Sequence, residues 1–334
     1  MKKLKVGING FGRIGRVLFR AGFDQLDIVG INNLDSIAGS AHLLKYDSTH
    51  GQFPADVSHT ENAIVVNGKS IPYSSTKNPA EIPWKDWGVD VVLECTGALK
   101  DRNDYQKHIT AGAKKVFISA PADGVDMTVV FGINHESYDP SKHQFISNAS
   151  CTTNCLAPLA KVLQETFGIE HGMMTTIHSY TNDQKILDSS HKDLRRARTA
   201  GASMIPTSTG AAKAVALVLP QLKGKVDGMA IRVPTPNVSL VDFTFRSEKD
   251  LTKDQVNQAL IEASQTNLKG VLAVEKKELV SIDFNGNKFS SIIDLPSTMV
   301  VNPRMAKVLS WYDNETGFSH RMVDFIKYMT EKGV

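Results

Sequence analysis

The chain has 334 residues, of which 41% are hydrophobic and 22% are charged. This length predicts two domains, and the composition excludes disordered and collagen-like proteins. The 38 basic residues are nearly balanced by 35 acidic residues, so the net charge does not indicate nucleic acid as a primary partner.

Short apolar runs alternate with helix-like stretches in the N-terminal part of the chain. The pattern predicts a strand at Leu4–Ile8, a helix from Arg13, a strand at Ile28–Ile31 and a helix through Ala41–Lys45. Further strands are predicted at Ile64–Val66, which starts a hairpin, and at Val89–Leu93, Lys115–Ser119 and Val129–Ile133. This alternation is typical of an α/β domain with a parallel sheet.

The segment Gly10–Gly15 reads GFGRIG, follows the first predicted strand and opens a helix. Its glycines permit a tight turn and the close approach of a pyrophosphate, whose charge the helix N-terminus stabilises. A purely structural turn is the alternative. The strand and helix on either side favour a Rossmann-type dinucleotide-binding domain, which we place at residues 1–149.

The pattern changes at Ser150. A helix is predicted over residues 151–167, and the strands predicted at Val238–Phe245 and Met305–Trp311 alternate apolar with polar residues, as half-exposed antiparallel strands do. The polar segment Thr181–Ala202 has no clear period, and loops of that length are usually functional. We therefore expect an α+β catalytic domain, built on a mainly antiparallel sheet, over residues 150–315.

The last part of the chain has apolar residues at helical spacing from Phe318 to Tyr328. We expect residues 316–334 to form a helix that completes the first domain.

The cysteines and the apolar stretches bear on the compartment. Three cysteines do not build a disulfide framework, and Cys151 and Cys155 lack the further Cys or His that a zinc site needs, so no metal is expected. The longest apolar stretch, Ala211–Leu222, is too short for a membrane span, and the start of the chain does not resemble a signal peptide. We expect a cytoplasmic protein.

Cys151 and His178 are candidates for covalent chemistry. A thiol in the first turn of a helix is exposed to the positive end of the helix dipole, which favours the thiolate. His178 ends an apolar-polar strand just before the long polar loop. A buried structural cysteine and a structural histidine are the alternatives, and spacing alone does not place the two side chains together.

Five ordered motifs resemble the phosphorylating glyceraldehyde-3-phosphate dehydrogenases over essentially the whole chain. They are Asn9–Arg16, Lys45–Ser48, Ser147–Cys155, Ser208–Ala214 and Trp311–Glu315. The resemblance implies that Cys151 attacks the aldehyde of glyceraldehyde 3-phosphate while His178 takes its proton. A hydride then passes to a nicotinamide, and inorganic phosphate cleaves the thioester to give an acyl phosphate. A homotetramer is also implied.

The resemblance further implies binding residues. Thr181 and Arg232 would hold the phosphate of the substrate. The attacking phosphate would be held by Ser150, Thr152, Arg196, Thr209 and Gly210, with Arg195 and Arg198 as alternatives to Arg196. The implied cofactor contacts are Gly10, Gly12, Arg13, Ile14, Gly15, Thr96, Ser119 and Asn314, the last at the nicotinamide carboxamide.

Two departures from the family pattern bear on the cofactor. Most members carry an acidic residue where this chain has Asn33, and many NAD-specific bacterial members have Leu-Pro where it has Ser189 and Ser190. An acidic side chain at the first position binds the ribose 2′-hydroxyl of NAD and repels the 2′-phosphate of NADP. We therefore expect use of both NAD and NADP.

Two other functions stay open at this point. Erythrose-4-phosphate dehydrogenase is the related enzyme, but the intact run Thr209–Lys213 favours the phosphorylating reaction. A nucleotide- or RNA-binding protein is the alternative of a different class, motivated by the basic run Arg195–Arg198. The complete catalytic set argues against RNA binding as the primary role.

Overall fold

A computed structural model describes residues 3–334, so the first two residues of the predicted 1–149 domain lie outside it. The chain divides into two units. The first runs up to Val129 and includes His135–Ala149 and Ser319–Val334, and the second consists of Val130–Asn134 and Ser150–Phe318.

The first unit is built on a nine-stranded sheet in the order β3-β4-β5-β2-β1-β6-β7-β9-β8. Its elements are β1 (Lys5–Asn9), α1 (Arg13–Gly22), β2 (Asp27–Asn32), α2 (Ile37–Lys45), β3 (Val57–His59), β4 (Ala63–Val66), β5 (Lys69–Ser74), β6 (Val91–Glu94), α3 (Arg102–Thr110), β7 (Lys115–Ile118), β8 (Met127–Thr128) and β9 (Phe145–Ser147). From β5 to β8 every neighbouring pair is parallel, whereas β3, β4 and β5 pair antiparallel. The predicted Rossmann-type architecture is confirmed.

The second unit is built on an eight-stranded, mainly antiparallel sheet, as predicted. Its strands follow the order β11-β12-β10-β13-β17-β15-β14, and β16 pairs with β17. Only the pairs β10 with β12 and β14 with β15 are parallel among the pairings of the described residues. The elements are α4 (Cys151–Phe167), β10 (Ile169–Ser179), β11 (Ile205–Ser208), α5 (Ala211–Val218), β12 (Val226–Val233), β13 (Ser239–Ser247), α6 (Lys253–Gln265), β14 (Leu272–Glu275), β15 (Ser291–Asp294), β16 (Met299–Asn302) and β17 (Met305–Tyr312). The last helix, α7 (Thr316–Lys332), belongs to the first unit from Ser319 onward.

The strand predicted at Val129–Ile133 is wrong. The short strand of this region is β8, and the chain then turns, because the carbonyl of Val130 accepts hydrogen bonds from the amides of Ile133 and Asn134. Gly132 has a positive φ of 86°, which fits this turn. Val129 and Val130 are buried, so their apolar character reflects packing in the core. Elsewhere the predicted strand ends shift by one or two residues.

A chain of buried polar side chains links the carboxyl ends of β1, β2 and β6. Trp84 Nε1 donates to Nδ1 of His108 (3.0 Å), so the ring proton of His108 lies on Nε2, 3.0 Å from Glu94 Oε2. Asn9 Nδ2 donates to the same carboxylate oxygen (2.6 Å) and its Oδ1 accepts from Asn32 Nδ2 (2.8 Å). All five side chains belong to residues at most 3% exposed, where a lost partner is costly.

Among the residues that the structure describes, no helix combines the length and the hydropathy that crossing a bilayer requires.

We predict that His108→Leu lowers the free energy of unfolding by about 3 kcal/mol. The substitution leaves the Trp84 N–H without a hydrogen-bond acceptor and removes a donor from the buried Glu94 carboxylate. The unfolding midpoint in urea measures this loss. His59→Leu, at an exposed position on β3, is the matched control and should leave the midpoint unchanged. Equal midpoints for the two variants would show that the network does not stabilise the fold.

Candidate functional site

Four of the predicted cofactor residues follow neighbouring parallel strands of the first unit. Gly10 follows β1, Asn33 follows β2, Ser119 follows β7, and Thr96 lies two residues after β6. Because β2, β1, β6 and β7 are adjacent and parallel, their carboxyl ends share one edge of the sheet. The strand order reverses at β1, which is where nucleotides bind in open α/β sheets.

The glycine-rich turn has the shape that a pyrophosphate needs. Gly10 has a φ of +89°, and a Cβ there would lie 2.7 Å from the amide nitrogen of Thr96. A Cβ on Gly15 would lie 2.2 Å from the carbonyl oxygen of Gly10, so the helix packs closely on the turn. Gly12 is the N-cap of α1, makes no side-chain capping bond and has open space where a side chain would stand. These features fit a bound dinucleotide.

Other predicted cofactor residues are fixed by contacts within the first unit. Glu94, which the sequence analysis missed, accepts hydrogen bonds from the amide and hydroxyl of Thr96, and its carbonyl accepts from the amide of Ser119 (3.0 Å). Arg13 forms an ion pair with Asp47 (2.7 Å), and Ile14 is half-buried in the first turn of α1. A buried acid at the end of a strand was the available signal for Glu94.

In the second unit, the structure brings Cys151 and His178 together. The Ser150 hydroxyl oxygen caps α4 by accepting from the Thr153 amide (3.0 Å), so the helix begins at Cys151. The Cys151 Sγ lies 3.5 Å from His178 Nε2. The contact joins the start of α4 to the end of β10.

The same histidine lies beside a cation. His178 on β10 is in register with Arg232 on β12, and because these strands are parallel the two side chains share a face. His178 Nδ1 lies 2.7 Å from the Ser179 carbonyl oxygen, to which Arg232 Nη1 also donates (3.0 Å). Arg232 Nη1 also lies 2.8 Å from this ring nitrogen. In the tautomer with the ring proton on Nδ1, that proton is donated to the Ser179 carbonyl, and Nε2 can accept the thiol proton.

Burial sets the charge of this pair. It raises the pKa of the Cys151 thiol, against the opposing effect of the Arg232 cation. Burial, reinforced by Arg232, lowers the pKa of His178 to about 3. Both groups are therefore neutral near pH 7, and His178 can accept a proton when the sulfur attacks.

The other two cysteines have a different environment. Burial raises the pKa of both Cys95 and Cys155 to about 12. Cys155 Sγ contacts the Ser310 hydroxyl at 3.4 Å. Among residues 3–334, neither thiol has a hydrogen bond to a histidine, unlike Cys151 with His178.

Tyr312 contacts the residues around Cys151 and His178, and the sequence did not single it out as a site residue. Its buried hydroxyl lies 2.8 Å from Thr152 Oγ1 and 2.9 Å from Thr176 Oγ1. Its ring meets the ring of His178 edge-on, with centroids 6.0 Å apart. Thr152 follows the cysteine on α4 and Thr176 lies on β10, so Tyr312 joins the two elements that carry the reactive groups.

Two helix starts converge beside this pair. Thr153 Oγ1 donates to the carbonyl of Ala211 (3.1 Å), which joins the start of α4 to the start of α5, where Thr209 and Gly210 precede the helix. Arg196 Nη2 donates to the carbonyl of Ser208 (3.2 Å), and Ser208 is the residue before Thr209. Amides, hydroxyls and a guanidinium are the groups that can bind an anion.

Arg196 differs from the neighbouring arginines in its contacts. Arg198 is exposed and paired with Asp188 (2.6 Å). The exposed side chain of Arg195 donates to the Pro206 carbonyl at 3.4 Å. Arg196 also pairs with Asp183 (2.7 Å). A phosphate that binds here would compete with the Asp183 carboxylate for the Arg196 guanidinium.

The remaining predicted residues have distinct surroundings. Asn314 Oδ1 accepts from the hydroxyls of Ser179 and Ser239, both at 2.9 Å, which fixes the amide next to the end of β10. The Thr181 amide donates to Gln184 Oε1 (3.0 Å) two residues beyond that strand. Ser189 and Ser190 are exposed within the long polar loop.

Comparisons with known proteins give one family. The model described as "Glyceraldehyde 3-phosphate dehydrogenase, NAD binding domain" matches residues 4–102, and that of the C-terminal domain matches residues 150–314. A glyceraldehyde-3-phosphate dehydrogenase 1 of Bacillus cereus is 59% identical over 332 residues, which is 99% of each chain.

Other bacteria carry similar proteins. The glyceraldehyde-3-phosphate dehydrogenase of Geobacillus stearothermophilus is 59% identical over 333 residues (99% of each chain), and that of Streptomyces coelicolor is 54% identical over 330 residues (98% of each). With its two-unit fold and matching motifs, this chain belongs to the glyceraldehyde-3-phosphate dehydrogenase family.

Proposed function

We propose that this chain is an NAD-dependent enzyme that oxidises D-glyceraldehyde 3-phosphate and transfers the acyl group to inorganic phosphate, which gives 1,3-bisphosphoglycerate. The observation that carries the proposal is the Cys151 Sγ 3.5 Å from Nε2 of His178. The names of the relatives favour this substrate over erythrose 4-phosphate and over a binding protein without catalysis.

The proposed chemistry starts with the thiol. Cys151 Sγ attacks the aldehyde carbon as its proton moves to His178 Nε2, and the amide at the start of α4 stabilises the oxyanion of the thiohemiacetal. Bound NAD supplies the hydride acceptor for oxidation to a thioester. Inorganic phosphate then attacks the thioester carbon, the C–S bond breaks to release the acyl phosphate, and the thiolate regains a proton.

Two phosphates need two cationic sites. Thr181 and Arg232 are proposed to hold the substrate phosphate, because Arg232 lies beside His178 and a guanidinium binds phosphate well. The attacking phosphate is proposed to lie at the two helix starts, held by Ser150, Thr152, Arg196, Thr209 and Gly210.

The domains divide these tasks. Residues 1–149, completed by the helix of residues 316–334, are proposed to bind the dinucleotide through Gly10, Gly12, Arg13, Ile14, Gly15, Asn33, Thr96 and Ser119. Residues 150–315 are proposed to carry catalysis, with Asn314 at the nicotinamide carboxamide. A cytoplasmic homotetramer is the proposed working form, in keeping with the family.

The cofactor range is proposed to include NADP. Asn33 carries no charge at the position that normally repels the 2′-phosphate. Ser189 and Ser190 are exposed hydroxyls on the loop that the family places near a neighbouring subunit's adenosine ribose. Neither departure adds a cation, so we expect use of both cofactors and not a switch to NADP.

We predict that His178→Asn lowers turnover by roughly 10²-fold and slows alkylation of Cys151 by iodoacetamide at pH 7, because the proton acceptor is lost. The rate of the wild type should rise with pH, since burial raises the pKa of the thiol. Cys151→Ser is the control that abolishes both activity and alkylation at this site. An alkylation rate that His178→Asn leaves unchanged would separate the histidine from thiol reactivity.

We predict opposite specificity losses in the two arginine variants. Arg232→Ala should impair use of glyceraldehyde 3-phosphate far more than use of unphosphorylated glyceraldehyde, because only the first loses a charge-assisted contact. Arg196→Ala should instead raise the phosphate concentration that gives half the maximal rate. Each variant is the control for the other, and a uniform loss in both assays would make these residues structural.

We predict that the wild type turns over NADP as well as NAD, and that Asn33→Asp shifts the ratio of kcat/KM values toward NAD by about tenfold, or 1.4 kcal/mol. The ratio is measured for both proteins at one ionic strength. A wild-type preference for NAD above about a thousandfold, unaltered in Asn33→Asp, is the result that rejects dual use.

A further inference from the structure

The Asn33 side chain is occupied by the protein itself. Its Oδ1 accepts from the amide of Phe11 in the glycine-rich turn (3.1 Å). Its Nδ2 lies 3.2 Å from Asp35 Oδ2 and 3.3 Å from the Ser40 hydroxyl oxygen. The backbone amide of Phe11 can only donate to Asn33 Oδ1, and the Asp35 carboxylate can only accept from Asn33 Nδ2. These two partners fix the orientation of the Asn33 side-chain amide.

Asp35 is the acidic group of this corner. It lies two residues beyond the position that is usually acidic, and its side chain is exposed. Its backbone is held in place, because its carbonyl accepts from the Tyr73 hydroxyl (2.7 Å) and the next residue, Ser36, caps α2 by accepting from the Gly39 amide (3.1 Å). The backbone of Asp35 is therefore fixed, and the 3.2 Å contact with Asn33 Nδ2 places its carboxylate.

We propose that Asp35 is the residue that discriminates at the ribose 2′-position, and that Asn33 is a positioning residue which holds its carboxylate. The inference rests on the proposed binding of a dinucleotide at this edge of the sheet. A carboxylate near the end of the second strand accepts a hydrogen bond from a 2′-hydroxyl and repels a 2′-phosphate. In this chain that charge is carried by Asp35.

The two positions depend on each other. A carboxylate at both residues would place like charges about as close as the present 3.2 Å contact, whereas the amide of Asn33 donates to the Asp35 carboxylate. The neutral residue therefore permits the neighbouring charge. Because Asp35 is exposed, solvent and salt screen its repulsion, so it limits NADP binding without excluding it.

The test measures binding in the full-length enzyme. Dissociation constants for NAD and NADP are obtained by isothermal titration calorimetry for the wild type and for Asp35→Asn, at low and high KCl. We expect Asp35→Asn to tighten NADP by about five- to tenfold and to weaken NAD slightly, since one repelling charge and one strong acceptor are lost. The change for NADP should shrink in high salt, which a packing defect would not do.

Asp86→Asn is the matched control, because it removes one charge from an exposed turn before β6, at the opposite edge of the sheet. It should leave the ratio of the two dissociation constants unchanged. Asp35→Lys is a second variant, and it should shift the ratio further toward NADP. Thermal unfolding without cofactor verifies that all variants are folded.

The outcomes separate this inference from dual cofactor use. If the wild type binds no NADP but Asp35→Asn does, dual use fails and the role of Asp35 stands. If both proteins bind NADP equally, the role of Asp35 is overturned while dual use holds. If neither Asp35→Asn nor Asp35→Lys changes the ratio by more than Asp86→Asn does, the inference is wrong.

Discussion

The contact between the Cys151 sulfur and His178 Nε2 is the constraint on which the second unit depends. It requires a helix start and a strand end to meet within 3.5 Å. The Ser150 cap fixes where α4 begins, the pairing of β10 with β12 places Arg232 beside the histidine, and Tyr312 links Thr152 to Thr176. Burial keeps both reactive groups neutral until a substrate arrives, because charged forms are disfavoured there.

In the first unit, buried polar side chains hold in place the loops that follow the strands. The Glu94 carboxylate makes several of these contacts, because it accepts hydrogen bonds from Asn9, His108 and Thr96 at the ends of β1 and β6. The glycines then allow the backbone of the turn to approach Thr96 closely. Buried polar groups thus order the edge of the sheet where the dinucleotide is proposed to bind.

Local signals predicted much of this fold, and long-range contacts limited the rest. The helix at Cys151–Phe167 and the parallel sheet followed from periodicity and short apolar runs. Val129–Ile133 misled because buried valines occur in turns as well as in strands. The proximity of Cys151 to His178 depends on sheet pairing and helix packing, so spacing could not give it. The pairing of Asn33 with Asp35 depends on side-chain orientation, which composition does not encode.

Covalent catalysis by Cys151 is measured most directly as the mass of the peptide that contains this residue, after one turnover without phosphate. The enzyme is mixed with NAD and glyceraldehyde 3-phosphate, quenched in acid and digested. We predict a 3-phosphoglyceroyl thioester on Cys151 that disappears when inorganic phosphate is added before the quench, with the acyl phosphate appearing in its place. Acylation of another residue, or a thioester on Cys151 that phosphate does not release, would contradict this prediction.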